Sequence, residues 1–145
     1  MEAERIRPIA ICACLNEDRI LVAEYHEDGR LFYRPLGGTI EFGERGEETI
    51  QREFREEINA ELCGVRYLGT LENIFTLRGQ RGHEIVLVYD GRLADTRLYG
   101  KDIIDGNELG EPLRAVWKGL DEFGPEKPPV YPIGLLDLLA SSAGR

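Results

Sequence analysis

The sequence predicts an α/β fold in which a mixed β-sheet carries helices on its faces. Three observations lead to this prediction. Apolar runs separated by turn residues, as is typical of strands, occupy much of the chain before residue 35 and again between residues 63 and 93. Segment 46–58 places apolar residues at helical spacing, and a leucine-rich segment at 133–140 predicts a second helix near the end of the chain.

The first part of the chain predicts three strands joined by turns. The run PIAICACL at 8–15 is mostly apolar, which favours a buried strand, and turn residues follow it. Two further strands are predicted at 19–25 and 31–34. The sequence PLGG at 35–38 interrupts the strand pattern and leads into the helical segment.

The helix predicted at 46–58 has two kinds of surface. Ile50, Phe54 and Ile58 are spaced by four residues and form one apolar stripe, which we expect to pack on the sheet. Glu47 and Glu48 lie in the first turn, where the helix dipole favours acidic side chains.

The rest of the chain predicts more sheet and one more helix. A strand at 63–77, bent near Gly69, should pair with the segment 84–93 through a hairpin. The polar stretch 94–112 predicts a surface loop near the site, and 114–117 a short strand. Leucines and one isoleucine at 133–140 would close the far side of the core.

Length and net charge limit the functions that this chain can have. A chain of 145 residues predicts a single domain, 1–145. The net charge of −9 argues against binding of a nucleic-acid polymer, which needs a basic surface, and against docking on anionic lipid. No apolar run reaches membrane-spanning length, and the first residues show no signal-peptide pattern.

The three cysteines, Cys12, Cys14 and Cys63, are interpreted as small buried hydrophobic residues. Cys12 and Cys14 share one face of a predicted strand, and no second pair with zinc-ligand spacing accompanies them. An odd, sparse cysteine count favours reduced thiols, and hence a cytoplasmic protein.

Segment 46–58 also carries a cluster of acids. Glu53, Glu56 and Glu57 follow Arg52 and fall within about 100° of the helix circumference. Carboxylates at this spacing repel each other by about 0.2–0.5 kcal/mol per pair when no cation lies between them. A cluster of this kind beside a glycine-rich turn predicts a site for a hard metal ion, whereas the alternative is a solvated helix face.

The segment 38–60, GTIEFGERGEETIQREFREEINA, resembles the Nudix box. That pattern is Gly, five residues, Glu, seven residues, then Arg-Glu-apolar-x-Glu-Glu-x-Gly-apolar. Asn59 stands where the family has Gly, and Ala60 where it usually has a larger aliphatic residue. Asn is the next-best residue after Gly for ending a helix in the left-handed conformation. The residues that match in register are Gly38, Glu44, Arg52, Glu53, Phe54, Glu56 and Glu57.

The resemblance implies a fold and an activity. The fold would be the Nudix α/β/α sandwich, with the box as a loop–helix–loop catalytic motif. The activity would be cleavage of the diphosphate linkage of a nucleoside diphosphate derivative, such as ADP-ribose, a nucleotide sugar or a (d)NTP, by water attack on phosphorus. All-oxygen ligands without nearby His or Cys favour Mg²⁺, or Mn²⁺, over zinc. A small nucleotide is thus the expected partner, and a homodimer is compatible with the family.

The resemblance also assigns roles. Glu56 and Glu57 match the metal-holding glutamates, and Glu53 matches a further ligand that could instead position or deprotonate the water. Which glutamate is the general base stays open. Glu44 could complete the metal shell through water, Gly38 could offer its carbonyl, and Arg52 would fix a carboxylate by a bidentate contact.

Two further sets of residues are candidates. The family often takes another acid from a downstream loop, and Glu111 is the first choice here, with Glu108 the second. Tyr25, Arg34 and Phe75 are candidate substrate contacts, because bases stack on aromatic rings and phosphates attract Arg. For both sets, solvated loop charge or ordinary packing is the competing interpretation.

Two other functions compete with the enzyme. The first is a non-catalytic nucleotide-sensing module that keeps the Nudix fold. Such modules typically lose box acids, whereas this chain keeps all four. The second is an interaction domain with an acidic helix, which leaves the glycine–glutamate register unexplained.

Overall fold

The computed structural model describes residues 4–142 and folds them into a mixed sheet flanked by two α-helices. Residues 1–3 and 143–145, the ends of the predicted domain 1–145, lie outside the described part. The elements are β1 Ile6–Asn16, β2 Arg19–Glu27, β3 Arg30–Arg34, β4 Gly37–Thr39, α1 Gly46–Ile58, β5 Leu62–Leu77, β6 Gln80–Leu93, β7 Ile103–Glu108, β8 Glu111–Gly119 and α2 Leu135–Ser142.

The strands form two groups that share one short junction. In the first group, β1 pairs in parallel with β6 and antiparallel with β4, and β6 pairs with β5. In the second group, β2 pairs with β3 and β8, and β8 pairs with β7. The groups are joined where β1 and β2 pair through Leu15↔Ile20 and Asn16↔Arg19. Beyond this hairpin, different strands flank β1 and β2, which leaves room for a cleft between the groups.

The two helices cover different apolar clusters. The stripe of Ile50, Phe54 and Ile58 on α1 is buried together with β-strand residues such as Ala10 and Cys12. Leu135 and Leu139 of α2 belong to a second buried cluster, built mainly from the neighbouring positions of β1, β2 and β6. Because side chains alternate across a strand, the sheet has an apolar surface for each helix. The predicted α/β/α sandwich is confirmed.

The predicted helix at 46–58 is confirmed residue for residue. At its start, the backbone N–H of Arg45 donates to Glu48 Oε1 at 2.8 Å, which satisfies one donor before the first turn. At its end, Asn59 adopts the left-handed conformation with φ 54°. Its N–H donates to the carbonyl oxygen of Arg55 at 3.1 Å. Asn59 therefore terminates the helix as its place in the box predicts.

The prediction of a loop at 94–112 is wrong. A 3₁₀ turn at Thr96–Gly100 leads into β7, and β7 forms a hairpin with β8 through Leu109 and Gly110. The sequence of β7, IIDGNE, is mostly polar and lacks the apolar alternation that indicates a strand. Pairing with β8 satisfies the hydrogen bonds of its backbone and holds it in the sheet.

Elsewhere the boundaries differ by one or a few residues. The strand predicted at 63–77 begins at Leu62, and its pairing with β6 shifts register between Tyr67 and Gly69, close to the predicted bend. The second helix starts at Leu135 and ends at Ser142. Within residues 4–142, no helix combines the length and the apolar character needed to cross a bilayer.

Candidate active site

A cleft of about 630 Å³ lies between the two strand groups, beside α1. This volume suits a nucleotide-sized ligand. One end is formed by the acidic side of α1 and the β7–β8 turn, together with the glycine segment of β4. The other end is formed by β1, β2, β3 and β6, with aromatic and arginine side chains. The cleft therefore combines an acidic end with a mixed aromatic and cationic end.

The clustered acids of α1, Glu53, Glu56 and Glu57, all line the cleft, as the helical spacing predicts. They differ in exposure, because the side of the helix that carries them turns from solvent towards the sheet. Glu56 is 59% exposed and Glu53 is 18% exposed at the side chain, whereas Glu57 is 4% exposed. The cluster therefore presents carboxylates from the rim of the cleft down to its floor.

Arg52 ties these acids to the loop before the helix. Its Nε donates to Glu44 Oε2 at 2.8 Å, and its Nη2 donates to Glu44 Oε1 at 3.0 Å. Its Nη1 donates to Glu53 Oε1 at 2.8 Å and reaches Glu56 Oε2 at 3.4 Å. The bidentate contact predicted for Arg52 is thus present, and its partner is Glu44.

Glu44 is held firmly but does not line the cleft. Besides Arg52, it accepts a hydrogen bond from Thr49 Oγ1 at 2.6 Å. The hydrogen bond from Arg52 is the main reason why the pKa of Glu44 falls to about 2. The predicted role of Glu44 in a metal shell stays a prediction; the structure shows its role in positioning Arg52.

Glu57 is the least solvated acid of the cluster. Its Oε1 is buried and has no hydrogen-bond partner within residues 4–142. Burial, reinforced by the charges of Glu53 and Glu108, raises the pKa of Glu57 to about 9. An unpaired buried carboxylate oxygen is costly, and a cation is the group that would satisfy it.

Glu53 faces the glycine segment of β4. Burial raises its pKa, and the hydrogen bond from Arg52 opposes that shift. A Cβ added at Gly38 would lie 2.5 Å from the Glu53 carboxylate, so a larger residue could stand there only if Glu53 moved. Gly38 therefore lets the backbone approach the Glu53 carboxylate, while the contact of its carbonyl with a metal stays a prediction.

The downstream acid of the cleft is Glu108, whereas Glu111 does not line it. The two residues face each other across the β7–β8 turn. β7 is the strand that lies against α1: a Cβ added at Gly106 would meet the backbone oxygen of Glu57 at 2.1 Å. This contact brings Glu108 to the acids, while Glu111 begins β8 and stays exposed. The first choice made from the sequence is therefore corrected to the second.

Two of the three candidate substrate contacts lie in the cleft. Tyr25 stacks on Phe32 with ring centroids 5.2 Å apart, and the Tyr25 hydroxyl donates to Glu108 Oε1 at 3.1 Å. Burial, and to a smaller degree the charge of Glu108, raises the pKa of Tyr25. Arg34 also lines the cleft. Tyr25 and Arg34 are placed where a nucleotide could contact them.

Phe75 is not part of the cleft. Its ring covers Gly82 on the paired strand, where an added Cβ would lie 2.3 Å from the ring. Leu77, at the end of β5, lines the cleft, whereas Phe75 does not. The proposal of Phe75 as a substrate contact is therefore withdrawn in favour of packing.

Sequence reasoning missed Arg7 and Glu84, which both line the cleft. They are register partners on the parallel strands β1 and β6, far apart in sequence. The only local signal is a charged residue at the start of an apolar run, EIVLVYD, in β6.

Among the cysteines, Cys12 and Cys14 are buried as expected, but Cys63 is exposed.

The acidic end fits a hard cation by its chemistry. Carboxylates line it, among them those of Glu53, Glu56, Glu57 and Glu108, and the Oε1 of Glu57 is buried without a hydrogen-bond partner within residues 4–142. As the side chains stand, no group of three or more acidic, His or Cys residues in the range 4–142 is arranged to coordinate one ion. Arg52 instead lies within hydrogen-bonding distance of both Glu53 and Glu56. Glu53 and Glu56 would need to turn from Arg52 towards an ion.

The comparison with known families agrees with this geometry. The family model described as the NUDIX domain matches residues 5–133, which includes the whole acid cluster. The chain belongs to the NUDIX family. The resemblance of residues 38–60 to the box is thereby confirmed, and the acidic end of the cleft is the part of this NUDIX domain that the box builds.

Individual relatives of this NUDIX chain are distant. The NAD-capped RNA hydrolase NudC of Vibrio parahaemolyticus serotype O3:K6 is 33% identical over 132 residues, covering 91% of this chain and 44% of that protein. The protein of the same name from Vibrio atlanticus is 33% identical over 66 residues, covering 46% of this chain and 24% of that protein. The chain thus spans less than half the length of these curated relatives.

A solved structure confirms the fold. The crystal structure of a MutT NUDIX hydrolase from Burkholderia pseudomallei superposes with a TM-score of 0.67 at 19% identity. The match covers 93% of this chain and 97% of that one. At this identity, the likeness establishes the NUDIX fold alone.

Proposed function

We propose that this NUDIX protein hydrolyses the diphosphate linkage of a nucleoside diphosphate derivative, such as ADP-ribose, a nucleotide sugar or a (d)NTP. Water attacks one phosphorus, the bridging P–O bond breaks, and the second phosphate leaves with the electron pair. The observation that carries the proposal is the unpaired, buried Glu57 oxygen at the acidic end of a nucleotide-sized cleft. A buried acid of this kind costs stability and is retained most readily for a function.

The proposed metal ligands are carboxylates of the box and that of Glu108, which lines the same cleft. Mg²⁺, or Mn²⁺, when bound, neutralises the diphosphate and makes water a better nucleophile. Glu56 and Glu57 are placed to hold the ion, Glu53 to hold it or to orient the water, and the Gly38 carbonyl lies on the same wall. Glu44 contributes through Arg52 in the present arrangement.

Arg52 and Tyr25 position the acids. Arg52 restrains Glu53 on one side of the cleft, and the Tyr25 hydroxyl restrains Glu108 on the other. Holding the carboxylates in place before substrate arrives reduces the reorganisation needed during reaction. The stacked pair of Tyr25 and Phe32 offers an aromatic surface to the nucleotide base.

The relatives widen the list of substrates to test. Their names state that they act on NAD-capped RNA, whereas the net charge of −9 here argues against a nucleic-acid polymer. We therefore propose a small nucleotide as the substrate, with the cytoplasm as its setting. NAD-capped RNA belongs in the panel because it contains the same diphosphate linkage.

The experiment is hydrolysis of a nucleotide panel in the presence of Mg²⁺ or EDTA. We expect turnover that requires the metal. Glu57→Gln should lower kcat by about 10²-fold or more while the circular dichroism spectrum is retained, because a neutral amide cannot replace the carboxylate. Glu56→Gln should behave in the same way.

Glu111→Gln is the matched control, since it makes the same change in an exposed acid outside the cleft. Its kcat should equal that of the unmodified protein. Nucleotide binding without turnover of any compound in the panel would contradict the proposal and favour the non-catalytic sensor.

A further inference from the structure

A second cluster of charges lines the cleft from β1, β3 and β6. Glu84, on β6, is 1% exposed. Its Oε2 accepts a hydrogen bond from Arg7 Nη2 at 2.8 Å, and its Oε1 accepts one from Arg34 Nη2 at 3.3 Å. Asn73 Nδ2 also donates to Oε1, at 3.3 Å. Both oxygens of one buried carboxylate are therefore used to hold two arginines.

The cluster carries a net positive charge that is not fully paired. Two guanidinium groups share a single carboxylate, and each makes one side-chain hydrogen bond to it within residues 4–142. Arg7 is 47% exposed and Arg34 is 22% exposed, and both line the cleft. A guanidinium has five N–H donors, so each retains donors for a ligand.

The third arginine of the cleft wall is in a different situation. Arg52 donates to Glu44 and Glu53 and to the carbonyl oxygen of Thr39. Its donors are thus mostly occupied by acids of the box and the preceding loop. An anionic group of a ligand would therefore find its donors at Arg7 and Arg34.

Tyr25 lies near both Glu108 and the arginines. Its hydroxyl donates to Glu108 Oε1 at 3.1 Å, and its ring stacks on Phe32, which lies two residues from Arg34 on β3 and so on the same face of that strand. A nucleoside placed on Tyr25 and Phe32 would thus lie beside Glu108 and within reach of Arg34. Its diphosphate belongs at the acidic end, where the proposed metal would bind.

We propose that Arg7 and Arg34, positioned by Glu84, bind a phosphate group on the ribose of the substrate, separate from the diphosphate that is cleaved. The proposal rests on the proposed function in taking the ligand to be a nucleotide. A charged fork that donates to phosphate oxygens is the usual way in which proteins select a phosphorylated compound over its unphosphorylated counterpart.

The first test compares substrates that differ by one phosphate. NADPH differs from NADH by a 2′-phosphate, and coenzyme A differs from dephospho-coenzyme A by a 3′-phosphate. In at least one pair, kcat/KM should be about tenfold or more higher for the phosphorylated compound, through a lower KM. Arg34→Gln and Arg7→Gln should each reduce that ratio towards one. Two variants are used in case one of them destabilises the fold.

Arg114→Gln is the matched control, because Arg114 is an exposed arginine on β8 that does not line the cleft. It should leave the ratio unchanged. The proposal is overturned if the unmodified protein treats both members of each pair alike, or if the arginine variants leave an existing preference intact.

A binding measurement separates this proposal from the catalytic one. Titration calorimetry with AMP, adenosine 2′,5′-bisphosphate and adenosine 3′,5′-bisphosphate, in Mg²⁺, needs no turnover. Tighter binding of one bisphosphate than of AMP, lost in Arg34→Gln, would support the anion site even if no compound is hydrolysed. Equal binding of all three by the unmodified protein would overturn it.

Discussion

Glu57 is the least exposed acid of α1. It lies on the cleft side of α1, its Oε1 is buried without a partner, and burial together with Glu53 and Glu108 raises its pKa to about 9. In the metal-free protein it therefore stays protonated at neutral pH. Because the pKa of Glu57 is higher in the folded protein than in the unfolded chain, the free energy of unfolding depends on pH, and this dependence can be measured.

Glu57→Gln should remove a pH dependence of stability that is measured in EDTA. The unfolded chain ionises Glu57 near its usual pKa of 4.5, but the folded protein does so only near about 9. The contribution of Glu57 to the free energy of unfolding is thus fully present below its pKa in the unfolded chain, and it is lost as pH rises towards its pKa in the folded protein.

Each pKa unit corresponds to about 1.4 kcal/mol, so we expect the unfolding free energy of the unmodified protein to fall relative to Glu57→Gln by about 1–4 kcal/mol from about pH 5 to about pH 8. Urea denaturation at several pH values measures this difference. The control Glu111→Gln keeps Glu57 and should follow the pH dependence of the unmodified protein, and parallel curves for Glu57→Gln and the unmodified protein would contradict the raised pKa of Glu57.

Asn59 provides a second prediction, because it holds φ at 54° where the family has Gly. Asn59→Gly should leave stability unchanged or raise it by up to about 1 kcal/mol, whereas Asn59→Ala should lower it by about 1 kcal/mol through strain in the left-handed region. Thermal unfolding of the two variants measures their relative stability. An Asn59→Ala variant as stable as Asn59→Gly would show that the backbone at residue 59 leaves the left-handed conformation without cost.

The element that completes the candidate site is β7. It is a polar edge strand, and its contact with α1 at Gly106 brings Glu108 to the acids of the box. Gly is needed at this position because the backbone of β7 approaches that of α1 at Glu57. The contact therefore sets the distance between two elements that supply carboxylates to the same cleft.

Gly106→Ala should separate β7 from α1. The added methyl would lie 2.1 Å from the Glu57 backbone oxygen, so the strand must shift, at a cost of about 1–3 kcal/mol. We expect a lower melting temperature and reduced hydrolysis. Gly100→Ala is the control, since no atom of the described residues 4–142 lies within 4 Å of its added Cβ. Equal melting temperatures for both variants would mean that β7 tolerates the displacement.

Across the molecule, the two strand groups meet at the shared β1–β2 hairpin and again at two turns. The backbone N–H of Arg78, in the β5–β6 turn, donates to Asp28 Oδ2 at 2.7 Å in the β2–β3 turn. Its guanidinium pairs with Glu27, with Nε donating to Oε2 at 2.6 Å. Glu27 and Leu77, next to this contact, line the cleft. The contact thus closes the cleft wall opposite α1.

Arg78→Gln should affect the cleft more than stability, because the ion pair is exposed. We expect a higher KM for the preferred nucleotide, a kcat that changes less, and a melting temperature close to that of the unmodified protein. Arg81→Gln is the control, since the ion-pair partner of Arg81 among the described residues is Glu4, at 3.9 Å. Identical KM values for the two variants would show that the turn contact does not shape the cleft.

Local patterns were sufficient to predict much of this structure. The apolar stripe and the acid stripe of α1 follow from helical geometry, so the helix bounds and the acids facing the cleft could be read from residues 46–58. The left-handed end at Asn59 and the α/β/α sandwich were expected from the resemblance of residues 38–60 to the Nudix box. The error at 94–112 arose because a polar edge strand lacks the apolar alternation on which strand prediction depends.

The sequence alone specified the fold class, the helix α1 and the acids that it presents, because each depends on residues within about one or two turns of each other. Long-range pairing decided the rest. The choice of Glu108 over Glu111 followed from the packing of β7 on α1, and the placing of Arg7 beside Glu84 from parallel register between strands 77 residues apart. Such contacts leave no periodic trace in the chain, since they arise only when distant segments fold together.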